Sequence, residues 1–192
     1  MYNDQPPTPP IDIAPIATQR LHLRAPVRDD APALVQLAND KGVASQLASM
    51  PHPYGPEDAA AFLKDIVPTQ SNWAIRRATD DAFMGVIGLF QRTPDAPVEL
   101  GYWLGRPYWG AGFATEAARS VIAFGFSMSD IDAVIAGYMD GNNASGRVLE
   151  KIGFLKTGRN PFKSRTLARQ VMQTNMRLDR SRWETMASPE AQ

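Results

Sequence analysis

Apolar and polar residues along the chain follow two periods. Arg20-Leu21-His22-Leu23-Arg24 alternates one by one, the spacing of a half-buried strand. Residues 73–77 and 83–90 read as a strand pair around an Asp-rich turn, and the turn at 93–97 leads into a further strand over Val98–Leu104. The continuous apolar run 133–139 predicts a buried strand, and residues 154–157 and 171–178 predict closing strands. Helical spacing appears elsewhere. Asp29 or Asp30 is placed to cap a helix running to Ala38, with Pro32 tolerated in its first turn. Residues 41–49 predict a short second helix, and residues 57–66 a third with Phe62, Leu63 and Ile66 on one face. A helix over 115–126 carries the stripe Ala117, Ala118, Val121 and Ile122. Another over 142–152 turns Val148, Leu149 and Ile152 inward and stops at Gly153. Antiparallel strands come first and crossover helices later, which predicts a mixed α/β fold.

Composition narrows the function classes. The 192 residues carry 20 Lys and Arg against 20 Asp and Glu, a net charge of +0, so nothing draws the chain generally to nucleic acid or to an anionic membrane. The absence of cysteine removes disulfides, thiolate metal sites and a cysteine nucleophile together. His22 and His52 are the two histidines, too few for a His-rich metal site, and His52 reads as a surface residue of the Pro-rich stretch at 50–56. No apolar run approaches the roughly 20 residues that span a bilayer, and no basic-then-apolar leader opens the chain. The expectation is a soluble, cytoplasmic protein with no metal, monomeric or homodimeric. Pro6, Pro7, Pro9, Pro10 and Pro15 predict an extended tail over 1–17; a single domain follows over 18–183, then a C-terminal tail over 184–192.

Chemistry concentrates in Trp109-Gly110-Ala111-Gly112-Phe113-Ala114-Thr115-Glu116-Ala117, between the strand ending at Leu104 and the helix over 115–126. A Gly-rich turn there leaves backbone N–H groups free beside the positive end of a helix dipole, which suits a phosphate or pyrophosphate. A Walker A loop would end in Gly-Lys-Ser/Thr, which is missing. A dinucleotide fingerprint would place glycine where Thr115 stands, and its acid should close the next strand, whereas Asp132 opens it. A purely structural turn stays open as the plain alternative. A second string, Asn142-Asn143-Ala144-Ser145-Gly146-Arg147-Val148-Leu149-Glu150-Lys151-Ile152-Gly153-Phe154, follows one strand later.

Together the two strings resemble the GCN5-related N-acetyltransferase (GNAT) superfamily. Its Gln/Arg-x-x-Gly-x-Gly/Ala loop matches from Trp109 to Ala114, with Trp109 in the Gln/Arg position. Gly-Tyr-Trp-Leu at Gly101, Trp-Gly-x-Gly-x-Ala-Thr-Glu-Ala at Trp109 and the string at Asn142 are similar to the Rim-type branch, which acetylates N-terminal amino groups of ribosomal proteins. The resemblance covers about residues 18–183. It implies the GNAT fold: a central, mixed, mostly antiparallel sheet of about seven strands with helices on both faces. It implies acetyl-CoA as acyl donor and a primary amine as acceptor, either a protein N-terminus or a small amine. It implies that Gly110, Ala111, Gly112, Phe113, Ala114 and Thr115 hold the pyrophosphate beside Trp109. Trp103 and Leu104 flank the thioester, with a backbone N–H as oxyanion donor, and Asn142 meets the cofactor.

The same resemblance implies Glu99 as the base that deprotonates the amine. An edge-strand glutamate paired with an arginine is the alternative. Many relatives place a tyrosine where Leu149 stands, and Leu149 has no proton to give. Ser145 is the implied donor to the leaving sulfur, with Tyr102, Tyr138 or solvent as fallback proton sources; capping of the helix is the alternative for both Asn142 and Ser145. Arg147 and Lys151 read as solvated charge or phosphate contacts. Two further functional classes stand beside the enzyme: a non-catalytic acetyl-CoA-binding module, and a nucleotide-dependent oxidoreductase resting on Gly110-x-Gly112 alone. The loops at 50–56, 93–97 and 159–169 are expected to select the acceptor.

Overall fold

Alternation along each strand sorts its side chains onto two faces, and helices cover both. The computed structural model describes residues 13–91, 96–128, 131–164 and 166–187. Its sheet has eight strands: β1 (Ile16–Ala17), β2 (Leu21–Arg24), β3 (Ser71–Arg77), β4 (Phe83–Phe90), β5 (Val98–Leu104), β6 (Ala133–Met139), β7 (Leu155–Ser164) and β8 (Arg169–Asp179). Spatial order is β1-β2-β3-β4-β5-β6-β8-β7. All neighbours run antiparallel except β5 and β6. The helices are α1 (Ala31–Ala38), α2 (Lys41–Ala44), α3 (Pro56–Ala61), α4 (Phe113–Ser127), α5 (Asn143–Ile152) and α6 (Arg180–Ala187). This is the mixed α/β architecture expected, with one strand more than the seven.

On β5, Val98, Leu100 and Leu104 pack into one core with Ala117, Val121 and Ile122 of α4 and Leu149 and Ile152 of α5. Trp103 turns to the other face and joins the core built on Leu34 and Ala38 of α1 and Ala59 of α3. Its ring meets Phe83 at 6.4 Å between centroids. Each core removes a continuous apolar stripe from water at about 25 cal/mol per Å².

Several expectations are corrected. Asp30 makes no side-chain cap for α1. It is buried and gives its carboxylate to Arg24 (2.8 Å), Arg76 (2.6 Å) and the Val27 N–H (2.8 Å). A buried carboxylate demands charged partners before it serves a helix end. The second helix shortens to α2, capped by Asp40 through Gly42 N–H at 2.6 Å and Val43 N–H at 3.1 Å. The third breaks after Ala61 into a π turn over Phe62–Ile66, and Ile66 is left exposed. β7 runs far beyond residue 157 as an edge strand exposed on both faces, so no burial rhythm marks it in the sequence. α6 has no apolar stripe either; Trp183 packs on Phe126 and Arg180 bonds the carbonyls of Phe126, Met128 and Ile131. At the other end, β1 pairs with β2, and the Trp73 indole donates to the Ala14 carbonyl at 3.0 Å. Residues 14–17 are therefore tied to the sheet edge; residues 1–12 and 188–192 lie outside the described residues.

Candidate active site

Among the described residues, β5 and β6 form the single parallel junction of the sheet, and it is a short one. β5 and β6 pair only at Val98↔Val134 and Glu99↔Ile135, and then part. Parallel strands must be joined by a crossover, here α4, so both can diverge around whatever the crossover leaves between them. Gly105 N–H donates to the Met84 carbonyl at 2.8 Å on the β4 side. Backbone groups in an antiparallel ladder alternate in direction, so Tyr102 and Leu104 turn theirs away from β4, toward the gap. The Leu104 carbonyl there accepts the Trp109 indole N–H at 2.7 Å.

A cleft of about 510 Å³ occupies the gap. From β5 come Tyr102, Trp103 and Leu104; from the loop, Trp109, Gly110 and Gly112; from the first turn of α4, Phe113, Ala114 and Thr115; from the start of α5, Asn142 and Ser145. Two of the residues expected here are elsewhere. Ala111 does not line the cleft, because its carbonyl faces Arg20 and accepts from it at 3.0 Å. Glu99 does not line it either. It sits half-buried at the last paired position, on the face of β5 that Trp103 shares, toward α1 and α3. Donor loop and Glu99 thus stand on opposite faces of the sheet at one gap.

Gly112 begins α4 at φ 82°, ψ 0°, a left-handed conformation that suits glycine, and provides no side-chain cap. Gly110 also has a left-handed φ of 77°, and a Cβ built there meets nothing within 4 Å. The first N–H groups of any helix lack partners within it, so Phe113, Ala114 and Thr115 present donors at the cleft. The acid of this turn, Glu116, is held back: it accepts from Thr18 Oγ1 at 2.6 Å, the Arg20 backbone N–H at 2.9 Å and Arg20 Nε at 2.6 Å. Burial pushes its carboxyl up, but the bonds from Thr18 and Arg20 outweigh that and hold it below the usual range. The Arg20 guanidinium also lies 4.6 Å over the Phe113 ring, pinning the loop from outside.

Across the cleft, the Asn142 side chain caps α5 by accepting from Ser145 N–H at 3.2 Å. The Ser145 hydroxyl lies 2.8 Å from the Tyr102 hydroxyl. Tyr102 is partly buried; burial pushes its phenol up to about 12, against a smaller opposite effect of the bond to Ser145. Sequence reasoning admitted Tyr102 only as a fallback. The signal was its place two residues from Leu100 and Leu104, on the face that meets α4 and α5. Leu149 is fully buried and offers no hydroxyl. Arg147 and Lys151 line the cleft from α5 while staying exposed. His52 is exposed. Thr166 Oγ1 donates to the Met50 carbonyl at 2.6 Å, joining two of the three loops expected to select an acceptor; residues 93–95 of the third, 93–97, lie outside the described residues. Among the described residues no group of three or more His, Asp or Glu could hold a metal ion, and no helix is long and apolar enough to cross a membrane.

Residues 20–155 match the family model described as an acetyltransferase (GNAT) domain. The probable N-acetyltransferase YjcK of Bacillus subtilis is 38% identical over 89 residues, 45% of this chain but only 49% of that protein. The uncharacterized N-acetyltransferase p20 of Bacillus licheniformis is 30% identical over 73% of this chain and 82% of its own. Among solved structures, a spermidine N-acetyltransferase from Vibrio cholerae in complex with CoA and spermine superposes with a TM-score of 0.72 at 17% identity, over 87% of this chain and 99% of that one. A ribosomal-protein-S5-alanine acetyltransferase from Vibrio fischeri gives 0.75 at 18%, over 89% and 99%. At these identities the solved structures establish the shared fold.

Proposed function

The chain belongs to the GNAT acetyltransferase family, and on that premise we propose that it moves the acetyl group of acetyl-CoA onto a primary amine. The observation that carries the reading is the uncapped start of α4, opening on a gap between parting strands. Donors at Phe113, Ala114 and Thr115 suit a pyrophosphate, and the open space at Gly110 admits it close to the backbone. Acetyl-CoA supplies the activated acetyl thioester. The gap-facing backbone of Tyr102 and Leu104 receives the pantetheine arm beside Trp103 and Trp109, and an N–H there meets the developing oxyanion. Asn142 orders the start of α5 against the arm.

The acceptor approaches from the α1 and α3 side, where Glu99 lies, and Glu99 takes its proton directly or through one water. The net reaction converts ammonium and thioester to amide, thiol and one released proton. Ser145 donates a hydrogen bond to the departing sulfur. Protein N-termini and small amines are both acceptors consistent with a site of this shape; the working location is the cytoplasm.

Release of free thiol from acetyl-CoA, measured with a panel of N-terminal peptides, amino acids and polyamines beside calorimetric titrations with acetyl-CoA and NAD(P), tests this. Thiol release with at least one amine supports the enzyme. Tight acetyl-CoA binding without release under any amine makes the protein a binding module. Glu99→Gln is expected to lower turnover by about 10²–10⁴-fold with acetyl-CoA affinity retained, and the deficit shrinks as pH rises because more amine is already neutral. Parental turnover at neutral pH removes Glu99 from the chemistry.

A further inference from the structure

Two hydroxyls meet across the gap where the strands part. Tyr102 stands on β5 and Ser145 in the first turn of α5, on opposite walls of the cleft, with their oxygens 2.8 Å apart. The phenol also lies 3.3 Å from the Ser145 carbonyl, so Ser145 offers two acceptors for its single proton, of which the hydroxyl is the nearer. Between a phenol and an alcohol, the phenol is the better donor, and its burial keeps it protonated throughout the working pH range. Tyr102 therefore donates and Ser145 Oγ accepts. With one lone pair of Ser145 so engaged, its own proton is directed away from Tyr102, into the cleft.

We propose that Tyr102 is a positioning residue: it fixes the Ser145 hydroxyl as a donor toward the sulfur of the bound thioester. This rests on the acetyl-transfer reading above. In that reaction the amine nitrogen bonds the acetyl carbon, the carbon–sulfur bond breaks with its electron pair on sulfur, and the nitrogen's protons leave through Glu99 and solvent. The charge growing on sulfur is met by the Ser145 O–H, and solvent completes the thiol. Tyr102 keeps its proton throughout, since a phenol held near 12 is a poor acid beside a thiol of about 8.5. Its contribution is to remove the Ser145 rotamers in which the hydroxyl proton points back at β5 or at solvent, so that the donor is aimed before the sulfur needs it.

The test is a double-mutant cycle on the full chain. Tyr102→Phe removes only the phenolic oxygen and keeps the ring in its packing. It is expected to lower kcat by about three- to tenfold, the scale of one neutral hydrogen bond, with the acetyl-CoA dissociation constant by calorimetry unchanged. Ser145→Ala is expected to lower kcat and kcat/KM together by about tenfold to a hundredfold. Added to Ser145→Ala, Tyr102→Phe should cost nothing further, because no hydroxyl is left to aim. Three results overturn the positioning role: parental kcat in Tyr102→Phe; the same loss from it with and without Ser145; or a loss confined to acetyl-CoA affinity, which would make the pair a brace between the walls. A parent protein that releases no thiol with any amine overturns the acetyl-transfer reading itself. Release by the parent together with any of those three results overturns the role of Tyr102 alone.

Discussion

The two helices that open on the cleft begin in opposite ways. Each follows a strand from the divergent pair, α4 after β5 and α5 after β6, and each aims its N-terminus at the same space. α5 is closed by its own sequence: Asn142 sits at the N-cap and accepts the Ser145 N–H at 3.2 Å. α4 is left open: its N-cap is Gly112, with φ 82° and no side chain to cap it. The acid nearest that open end, Glu116, is drawn off by Arg20 and Thr18, so its charge does not oppose an anion at the turn. Helix starts carry the same unsatisfied N–H groups whatever their sequence. Where a side chain answers them the end is finished; where a left-handed glycine stands instead, an external anion has something to complete. In the proposed function the two helices thus divide the work, one anchoring the wall that carries Ser145 and the other receiving the ligand.

The largest effect that tests this contrast comes from Gly112→Val. A branched side chain at φ 82° costs about 1–3 kcal/mol of strain, its Cβ lies 3.4 Å from the Arg20 guanidinium, and under the proposed function its bulk stands beside the pyrophosphate. Acetyl-CoA affinity by calorimetry is expected to fall by at least about a hundredfold, which corresponds to about 2.7 kcal/mol of binding free energy. Retained affinity would reduce the open end to an ordinary turn.

Asn142→Ala acts on the finished end. It is expected to lower stability to denaturant by about 1 kcal/mol, the usual cost of losing a side-chain cap, with a loss of acetyl-CoA affinity well below that of Gly112→Val. A larger affinity loss than at Gly112 would invert the comparison.

The smallest effect belongs to the Glu116 tie, and it depends on pH. The folded-state carboxyl titrates below its ordinary value of 4.5, so its contribution to stability is present above that pH and is lost as pH falls through the lower folded value. Melting temperature measured below about pH 4.5 should therefore drop on acidification in the parent, and the drop should be shallower in Glu116→Gln. Identical acid profiles for the two proteins would show that Arg20 and Thr18 are not holding Glu116 in solution.

Much of this was legible in residue order because it is local. The strand Val98–Leu104, the glycine turn and the helix after it stand where spacing predicted them. So do β4 and β6. A periodic or continuous apolar run reports burial, and these elements are buried on one face or on both. β7 and α6 are not: one is exposed on both faces and was read only over its first residues, and the other carries no apolar stripe and went unread. Asp30 was misread because a capping residue and a buried ion-pair acceptor look identical until Arg24 and Arg76 arrive beside it.

What the sequence determined by itself is the uncapped turn: glycines at 110 and 112 set a backbone geometry that needs no distant partner. The tertiary structure decided which groups face that turn. Arg20 reaches Ala111 and Glu116 across 91 and 96 positions of chain, and Tyr102 reaches Ser145 across 43. It also put Glu99 on the face opposite the donor loop. Such contacts depend on where β5 and β6 stop pairing, a balance of sheet hydrogen bonds against helix packing that no local window contains.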